Sequence, residues 1–341
     1  MSALGWMNIV GHGTMIEALQ GMVARGNVPH ALLFVGPAGI GKQVAAQVTA
    51  AALLCVGDTV RPCGTCPSCR LNQRQVHPDL LRIGPDGAAI KIDQIRGLQH
   101  EAALAPVMGE RRVCIINDAE LMTTQAANSL LKLLEEPPPG FLFILVAQDS
   151  RPLLPTILSR CCRLRFSVLP GDLLIRTLRE QGQEESAAAV AARLSGGRLG
   201  KALEILQPDG LMSRNQAMEW LVQISNEQGP LENKDTVNVE QLSSREAVPL
   251  LQRLLVLLRD LLLLCGKHDQ QLIFNLDLVP RLTALMPRWT EPGLLAAMER
   301  VRATQRAVNG NANVRLSLEA LWIRLDELVK RREEGDYGNI C

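Results

Sequence analysis

The sequence carries almost no excess of charge of either sign. Lysine and arginine number 36 and aspartate and glutamate number 35, which gives a formal net charge of +1. A protein that binds nucleic acid on its own usually has a basic excess. The balance therefore argues against an autonomous nucleic-acid binder, and any contact with DNA is expected to be local or shared with other proteins.

The chain also lacks an uninterrupted apolar run long enough to cross a membrane. The most apolar segment, 250–265, contains Arg253, Arg259 and Asp260. It is therefore predicted to be an amphipathic helix packed inside a helical domain, in preference to a membrane span or a strict heptad zipper. The N-terminal residues show no basic segment followed by an apolar one, as a signal peptide would. We expect a cytoplasmic protein with no membrane contact.

Apolar runs and helix-like segments alternate through the first half of the chain. Three apolar runs predict buried strands, at 30–35, 112–116 and 141–147. The segments between them predict helices, at 42–55, 91–104 and 123–136. Strands that alternate with helices favour a mostly parallel sheet covered on both faces. The first half is thus predicted to be an α/β module.

Beyond residue 166 the composition changes and almost every segment has a helical pattern. The leucine-rich region 245–332 is divided by prolines, which predicts several helices. The turn signal QPDG at 207–210 and the polar stretch at 226–238 predict a loop. The second half is therefore expected to contain helices only.

A phosphate-binding loop is predicted between the first strand and the helix that follows it. The motif G-x-x-x-x-G-K is formed by Gly36, Gly39, Gly41 and Lys42. Its glycines let backbone N–H groups turn toward phosphate, and the lysine reaches the outer phosphates. The next residue is Gln43, where a Ser or Thr would bind Mg²⁺. The motif leaves ATP binding open and does not favour efficient hydrolysis.

The end of the strand at 112–116 also departs from a working ATPase. Hydrolysis needs an Asp that holds magnesium and a neighbouring group that orients water. Aligned by the apolar residues, Asn117 stands in place of that Asp and Asp118 in place of the adjacent Glu. A shift by one residue moves Asp118 to the metal position but puts Ala119 in place of the Glu. One part is missing in either register.

Four cysteines within fifteen residues predict a metal site, and they are Cys55, Cys63, Cys66 and Cys69. Zinc favours four sulfur ligands in a tetrahedron, and two-residue gaps let one loop wrap the ion. A closed four-thiolate site is structural, so zinc is expected to stiffen the loop at 55–69. An iron–sulfur cluster and chance clustering are the alternatives. His77 is interpreted as a structural turn residue and not as a ligand.

The segment AANSLLKLLEEPP at 126–138 resembles the signature of the bacterial DNA polymerase III clamp-loader subunits, which are AAA+ proteins. The sequences HALLF at 30–34, IDQIR at 92–96 and SRC at 159–161 are similar to theirs as well. These similarities lie within 10–206, and the rest of the chain resembles the family only in being helical. The resemblance implies three domains. They are an AAA+ P-loop NTPase-like α/β domain with a parallel sheet and the zinc loop (1–166), a helical lid (167–207) and an all-α collar for oligomerisation (208–341).

The resemblance further implies that Arg160 is an arginine finger, flanked by Ser159 and Cys161 at the same site. A guanidinium is planar, always charged and able to bind phosphate oxygens at two points. Supplied to ATP on an adjacent subunit, it stabilises the charge of the transition state. The alternative is a surface arginine that caps a strand.

Within this family the departures from the ATPase pattern favour the delta-prime group over the gamma/tau motor subunits. Besides Gln43 and Asn117, Gly200 stands where the lid arginine belongs, unless a local shift brings Arg198 there. The resemblance implies a stator with no ATPase of its own within a DNA-directed DNA polymerase holoenzyme, a nucleotidyltransferase. The implied partners are gamma/tau, delta and, through the complex, the sliding clamp and primed DNA. The rival hypotheses are an ATP-hydrolysing motor subunit and a non-catalytic zinc-bearing DNA-binding module.

Overall fold

The computed structural model describes residues 4–57, 60–225, 242–266 and 272–330. The polar stretch at 226–238, predicted to be a loop, lies outside the described residues. The chain divides into two compact units, one of Met1–Thr177 with Gly197–Gly200 and one of Leu178–Gly196 with Lys201–Cys341. The division into three domains at 1–166, 167–207 and 208–341 stays a prediction.

The first unit is built on a parallel sheet of five strands in the order β2-β3-β4-β1-β5. Its strands are β1 (Ala31–Val35), β2 (Leu80–Ile83), β3 (Arg112–Ile116), β4 (Phe141–Ala147) and β5 (Cys162–Arg165). The three strands predicted from apolar runs are the central ones, and the two edge strands were not predicted. A parallel sheet with a glycine-rich loop after β1 confirms the predicted AAA+ α/β fold class.

Helices precede and connect the strands of this sheet. They are α1 (Gly13–Ala24), α2 (Lys42–Leu54), α3 (Pro67–Gln73), α4 (Ile92–Ala102), α5 (Thr124–Glu135) and α6 (Pro155–Leu158). The bounds of α5 follow from its sequence. The Thr123 hydroxyl caps its start by accepting from the backbone N–H of Ala126. Its end precedes three consecutive prolines, which cannot continue a helix.

Both faces of the sheet are buried, which explains why the central strands are apolar without alternation. Leu32 and Phe34 of β1 belong to an apolar cluster that includes residues of α1 and α2. Ala31 and Leu33, which alternate with them, belong to a second cluster that includes residues of α4 and α5. The sheet therefore fixes both ends of the phosphate loop, since β1 precedes the loop and the buried α2 follows it.

The second unit is helical in the residues that the structure describes, as predicted. Helices α7 (Gly171–Glu180) and α9 (Leu199–Leu206) have residues in both units, and the other helices are α8 (Glu185–Ser195), α10 (Pro208–Ser225), α11 (Ser244–Cys265), α12 (Val279–Leu285), α13 (Glu291–Asn309) and α14 (Val314–Lys330). The QPDG sequence does not form the predicted loop, because α10 begins at Pro208. Proline suits the first turn of a helix, where its missing N–H leaves no bond unmade.

Helix α11 lies at the centre of the second unit and packs against α10 and α13. Leu250, Leu254, Leu257 and Leu261 are almost completely buried in its apolar cluster. This burial confirms that the leucine-rich segment packs inside a helical domain. None of the helices in the described part of the chain combines the length and apolar character that a membrane crossing requires.

A fully buried carboxylate interrupts the apolar surface of α11. Asp260 accepts hydrogen bonds from the backbone N–H of Phe274 (3.2 Å) and from the backbone and side-chain N–H of Asn275 (2.9 and 2.8 Å). Arg259 pairs with the same carboxylate at 3.0 Å. The acid therefore holds the segment before α12 onto α11.

Candidate functional site

The predicted phosphate loop has a backbone that requires glycine. Gly39 and Gly41 have φ of 76° and 96°, in the left-handed region that favours glycine. At Gly36 a Cβ atom would lie 2.3 Å from the carbonyl oxygen of Phe166, too close for any side chain. The three glycines of the motif are thus explained by the conformation of the loop and by its close approach to the chain after β5.

Lys42, the cation of this loop, is directed onto the loop's own carbonyl groups. Its buried Nζ donates to the carbonyl oxygens of Gly36 (2.6 Å) and Pro37 (2.7 Å). Burial lowers the pKa of Lys42, and the negative charges of Glu120 and Asp118 oppose this effect. Binding of a phosphate by Nζ therefore requires the exchange of two short hydrogen bonds.

The residue predicted in place of the lid arginine lies directly against this loop. The backbone N–H of Gly200 donates to the carbonyl oxygen of Gly39 at 2.7 Å. A Cβ atom on Gly200 would lie only 3.1 Å from the Cα and the oxygen of Gly39. A side chain at this position would press on the loop backbone, so the close contact itself depends on glycine.

The carboxylate of Glu120 belongs to this site, although the sequence pattern after the strand at 112–116 indicated only Asn117, Asp118 and Ala119. Its Oε1 accepts from the backbone N–H of Gln148 at 2.9 Å, after β4. Its Oε2 is buried without a hydrogen-bond partner among the described residues. The pairing of β3 with β4 brings it here, because both strands end at this edge of the sheet. Asp118, in a left-handed turn with φ of 48°, precedes it.

Arg160 lies between α6 and β5, with one third of its side chain exposed (33%). Its Nη1 donates to the carbonyl oxygen of Thr156 (2.9 Å) and to the hydroxyl of Ser159 (3.3 Å). Its Nη2 donates to Oε1 of Glu135 at 2.7 Å. The guanidinium is therefore neither buried in the core nor loose, because three groups of the same chain hold it at the surface.

Ser159 and Cys161, the two residues beside Arg160, have different roles. The Ser159 hydroxyl donates to the carbonyl of Thr156 at 3.0 Å while it accepts from Arg160, so it helps to hold the guanidinium. Burial, followed by the charge of Cys162, raises the pKa of Cys161 to about 12. Cys161 therefore stays a thiol at neutral pH and packs against the apolar cluster beside α5. Arg160 alone among the three offers a charged group.

The four predicted metal-binding cysteines come together. The Sγ atoms of Cys55, Cys63, Cys66 and Cys69 all lie within 4.8 Å of one another. The separations from Cys55 to Cys66 and from Cys63 to Cys69 are both 3.9 Å, about twice the length of a disulfide bond. Cys55 follows α2 directly, and Cys66 caps the start of α3. These residues form a four-thiol cluster that could hold a metal ion.

The spacing and the surrounding donors suit four thiolates around one ion. Sulfur atoms placed about 2.3 Å from a tetrahedral zinc lie roughly 3.8 Å apart. Backbone N–H groups of Gly57 and Cys63 point at the sulfur of Cys55 at 3.4 and 3.5 Å. The N–H of Cys66, 3.4 Å from the sulfur of Cys63, is the main cause that lowers the pKa of Cys63 to about 6. Burial raises the pKa of Cys55 and Cys69, so these two thiols need a cation to ionise.

His77 is a brace of this loop and not part of the cysteine group. Its Nε2 lies 2.9 Å from the hydroxyl of Ser68, which donates to the carbonyl of Leu54 at 2.6 Å. Its Nδ1 accepts from the backbone N–H of Asp79 at 3.1 Å. The buried ring thus joins α3 to the end of α2 and to the start of β2, in agreement with its interpretation as a structural residue.

Comparisons of the sequence find relatives among the DNA polymerase III subunits. A family model described as DNA polymerase III, delta subunit, matches residues 11–170. DNA polymerase III subunit delta-prime of Haemophilus influenzae is 31% identical over 297 residues, which cover 85% of this chain and 88% of that protein. The Bacillus subtilis delta-prime subunit is 28% identical over 318 residues, with 92% and 95% covered. A solved structure of a gamma subunit-related protein from Thermotoga maritima has 21% identity and a TM-score of 0.48, and covers 92% of this chain and 99% of that one.

Gamma/tau subunits match over a smaller part of their length. The tau subunit of Escherichia coli is 32% identical over 234 residues, which are 65% of this chain but 36% of that subunit. The delta-prime subunits of Haemophilus influenzae and Bacillus subtilis, in contrast, are matched over 88% and 95% of their length. The chain belongs to the family of DNA polymerase III delta-prime subunits.

Proposed function

We propose that this protein is the clamp-loader subunit that supplies Arg160 to the ATP of an adjacent subunit. The observation that carries the proposal is the partly exposed guanidinium, held at the surface by Thr156 and Glu135. Three of its five N–H groups are used within the chain, and the remaining two have no acceptor among the described residues. Those two donors are available to phosphate oxygens, which guanidinium binds well.

The chain's own phosphate loop supports a role other than turnover of its own ATP. Gln43 stands where a Ser or Thr would bind Mg²⁺, and in either register Asn117 or Ala119 stands in place of an acidic residue that hydrolysis requires. Lys42 is bonded to the loop carbonyls, and Gly200 in place of the lid arginine is bonded to Gly39. The loop is thus a structural remnant or a weak nucleotide site formed by Gly36, Gly39, Gly41 and Lys42.

The partners in this proposal are those that the resemblance to the family implies. Relatives of this chain are named as DNA polymerase III subunits. In the proposed assembly the chain joins gamma/tau and delta, with 208–341 as a collar and 167–207 as a lid, and acts as a stator. It takes part in loading the sliding clamp on primed DNA through that complex, in the cytoplasm.

The metal of the cysteine cluster is proposed to be zinc with a structural role. Four thiolates leave no open coordination position for chemistry, and soft sulfur ligands favour zinc or an iron–sulfur cluster. Metal analysis of the purified protein is expected to give one zinc per chain, without the visible absorption of an iron–sulfur centre. Iron with inorganic sulfide would contradict the assignment.

The test of the central proposal is reconstitution of the complex with Arg160→Ala and Arg160→Lys. Both variants are expected to assemble normally and to lose the part of the ATP hydrolysis that depends on the arginine. Lysine is expected to fail as well, since it keeps the positive charge but lacks the planar group that binds phosphate oxygens at two points. Arg163→Ala is the matched control, because it removes an exposed arginine of β5 three residues away. Unchanged ATP hydrolysis by the complex with Arg160→Ala would refute the proposal that Arg160 is an arginine finger.

A motor subunit of the gamma/tau type is the second candidate, favoured by the complete G-x-x-x-x-G-K motif with Lys42 in place. It requires ATP turnover by the isolated chain that is lost in Lys42→Ala. Turnover of this kind would show that Gln43 and Asn117 are tolerated.

A further inference from the structure

Glu135, the last residue of α5, forms an ion pair with the guanidinium of Arg160. The two residues are 25 positions apart in sequence, and Nη2 of Arg160 lies 2.7 Å from Oε1 of Glu135. Half of the Glu135 side chain and a third of the Arg160 side chain are exposed. The pair therefore lies at the surface, where a neighbouring subunit could reach the guanidinium.

Helix stability does not account for an acid at this position. The C-terminal end of a helix carries partial negative charge, so a carboxylate there is unfavourable and a cation is favourable. Helix α5 has such a cation in its last turn, Lys132. An exposed ion pair also adds little to the stability of a fold. The position of Glu135 is explained by what it does to Arg160.

Arg160 is held at three points that come from two elements. The carbonyl of Thr156 and the hydroxyl of Ser159 lie at the end of α6, and Glu135 lies at the end of α5. Helix α6 is itself anchored by Ile157, which is completely buried. A long, flexible side chain is thus kept in one orientation before any partner is present.

We propose that Glu135 is a positioning residue for Arg160, which it orients in advance for ATP on the adjacent subunit. Glu135 does not touch the nucleotide, and it uses only one N–H of the guanidinium. Pre-orientation removes the ordering cost that a free arginine incurs on contact, and it aims a fixed charge at the phosphate. The inference rests on the proposed function of Arg160.

The test uses the reconstituted complex with Glu135→Ala, Glu135→Gln, Arg160→Ala and the double variant Glu135→Ala/Arg160→Ala. Glu135→Ala is expected to lower the Arg160-dependent part of kcat about 3- to 10-fold, the effect of losing one typical hydrogen bond, because the pair is partly exposed to solvent. The KM for ATP and the assembly of the complex are expected to stay unchanged. Glu135→Gln keeps an acceptor for Nη2 and is expected to lose less.

Glu136→Ala is the matched control, because it removes the same charge from the next, exposed position. It is expected to behave as the unsubstituted protein. The double variant is expected to equal Arg160→Ala alone, because a residue that acts through Arg160 has no effect once Arg160 is gone.

Three results would overturn the inference while the proposed function stands, provided Arg160→Ala is defective. They are a Glu135→Ala variant as active as Glu136→Ala, a Glu135→Ala variant with raised hydrolysis, and a double variant worse than Arg160→Ala. Full ATP hydrolysis by the Arg160→Ala complex would refute the proposed function, and this inference with it.

Discussion

The hydrogen bonds that link His77, Ser68 and Leu54 beside the cysteine loop allow a quantitative prediction for Ser68→Ala. The hydrogen-bond distances define where the protons lie. Since the backbone N–H of Asp79 donates to Nδ1 of His77, the neutral ring carries its proton on Nε2 and donates it to the Ser68 hydroxyl. That hydroxyl in turn donates to the carbonyl of Leu54. Leu54, Ser68, His77 and Asp79, which this series of hydrogen bonds joins, are all buried.

Removal of this hydroxyl leaves two buried groups without a partner, the Nε2–H of His77 and the carbonyl of Leu54. Each such group costs about 1–3 kcal/mol. For two groups we expect Ser68→Ala to lower the free energy of unfolding of the first unit by about 2–6 kcal/mol. Because Cys69 follows Ser68 and Cys55 follows Leu54, the cysteine cluster is also expected to release the zinc proposed for it faster.

Urea unfolding and transfer of the metal to a chromogenic chelator measure the two effects. Ser186→Ala serves as the control, since its exposed hydroxyl bonds only the nearby Glu184, and it is expected to cost less than about 0.5 kcal/mol. A Ser68→Ala variant that matches this control in both assays would refute the brace.

The same brace predicts a dependence of stability on pH. Burial lowers the pKa of His77, and the charge of Asp79 opposes this only in part. The unfolded chain therefore takes up the proton first, near the usual value of about 6.5. The contribution of His77 is fully present above that pH and is lost as the pH falls toward the lower folded pKa. His77→Gln is expected to flatten this part of the stability profile, and a profile unchanged by the substitution would contradict the argument.

Two further predictions concern the phosphate loop and the helical unit. The double variant Gln43→Thr/Asn117→Asp restores two magnesium ligands. Even so, ATP turnover by the isolated chain is expected to stay below about 0.01 s⁻¹, because no neighbouring subunit supplies an arginine. A rate of about 1 s⁻¹ or more in a steady-state assay would contradict this prediction. Asp260→Ala leaves three N–H groups of Phe274 and Asn275 without their acceptor. It is expected to cost about 3–5 kcal/mol in urea unfolding, as when one partner of a buried ionic network is removed, and a loss below about 1 kcal/mol would show that the carboxylate is dispensable.

The elements that the sequence predicted well are those with strong local patterns. The central strands β3 and β4 are continuous apolar runs, because both faces of the sheet are covered. The edge strands β2 and β5 were not predicted, because each has only four residues. In β5, two of the four are arginines. An edge strand pairs on one side only, so its sequence is under weaker constraint. The start of α10 was missed because a proline followed by Asp-Gly suits a turn as well as a first helical turn.

The sequence by itself determined the phosphate-loop motif, the departures at Gln43 and Asn117, and the cluster of four cysteines. Such features are short in sequence, and their chemistry depends on residue type at fixed spacing. Only the tertiary structure decided that Glu135 pairs with Arg160, that the charge of Glu120 acts on Lys42, and that Gly200 lies on the loop. These contacts join residues far apart in the chain, and the packing of helix ends and strand ends around a buried sheet fixes them, which no local periodicity encodes.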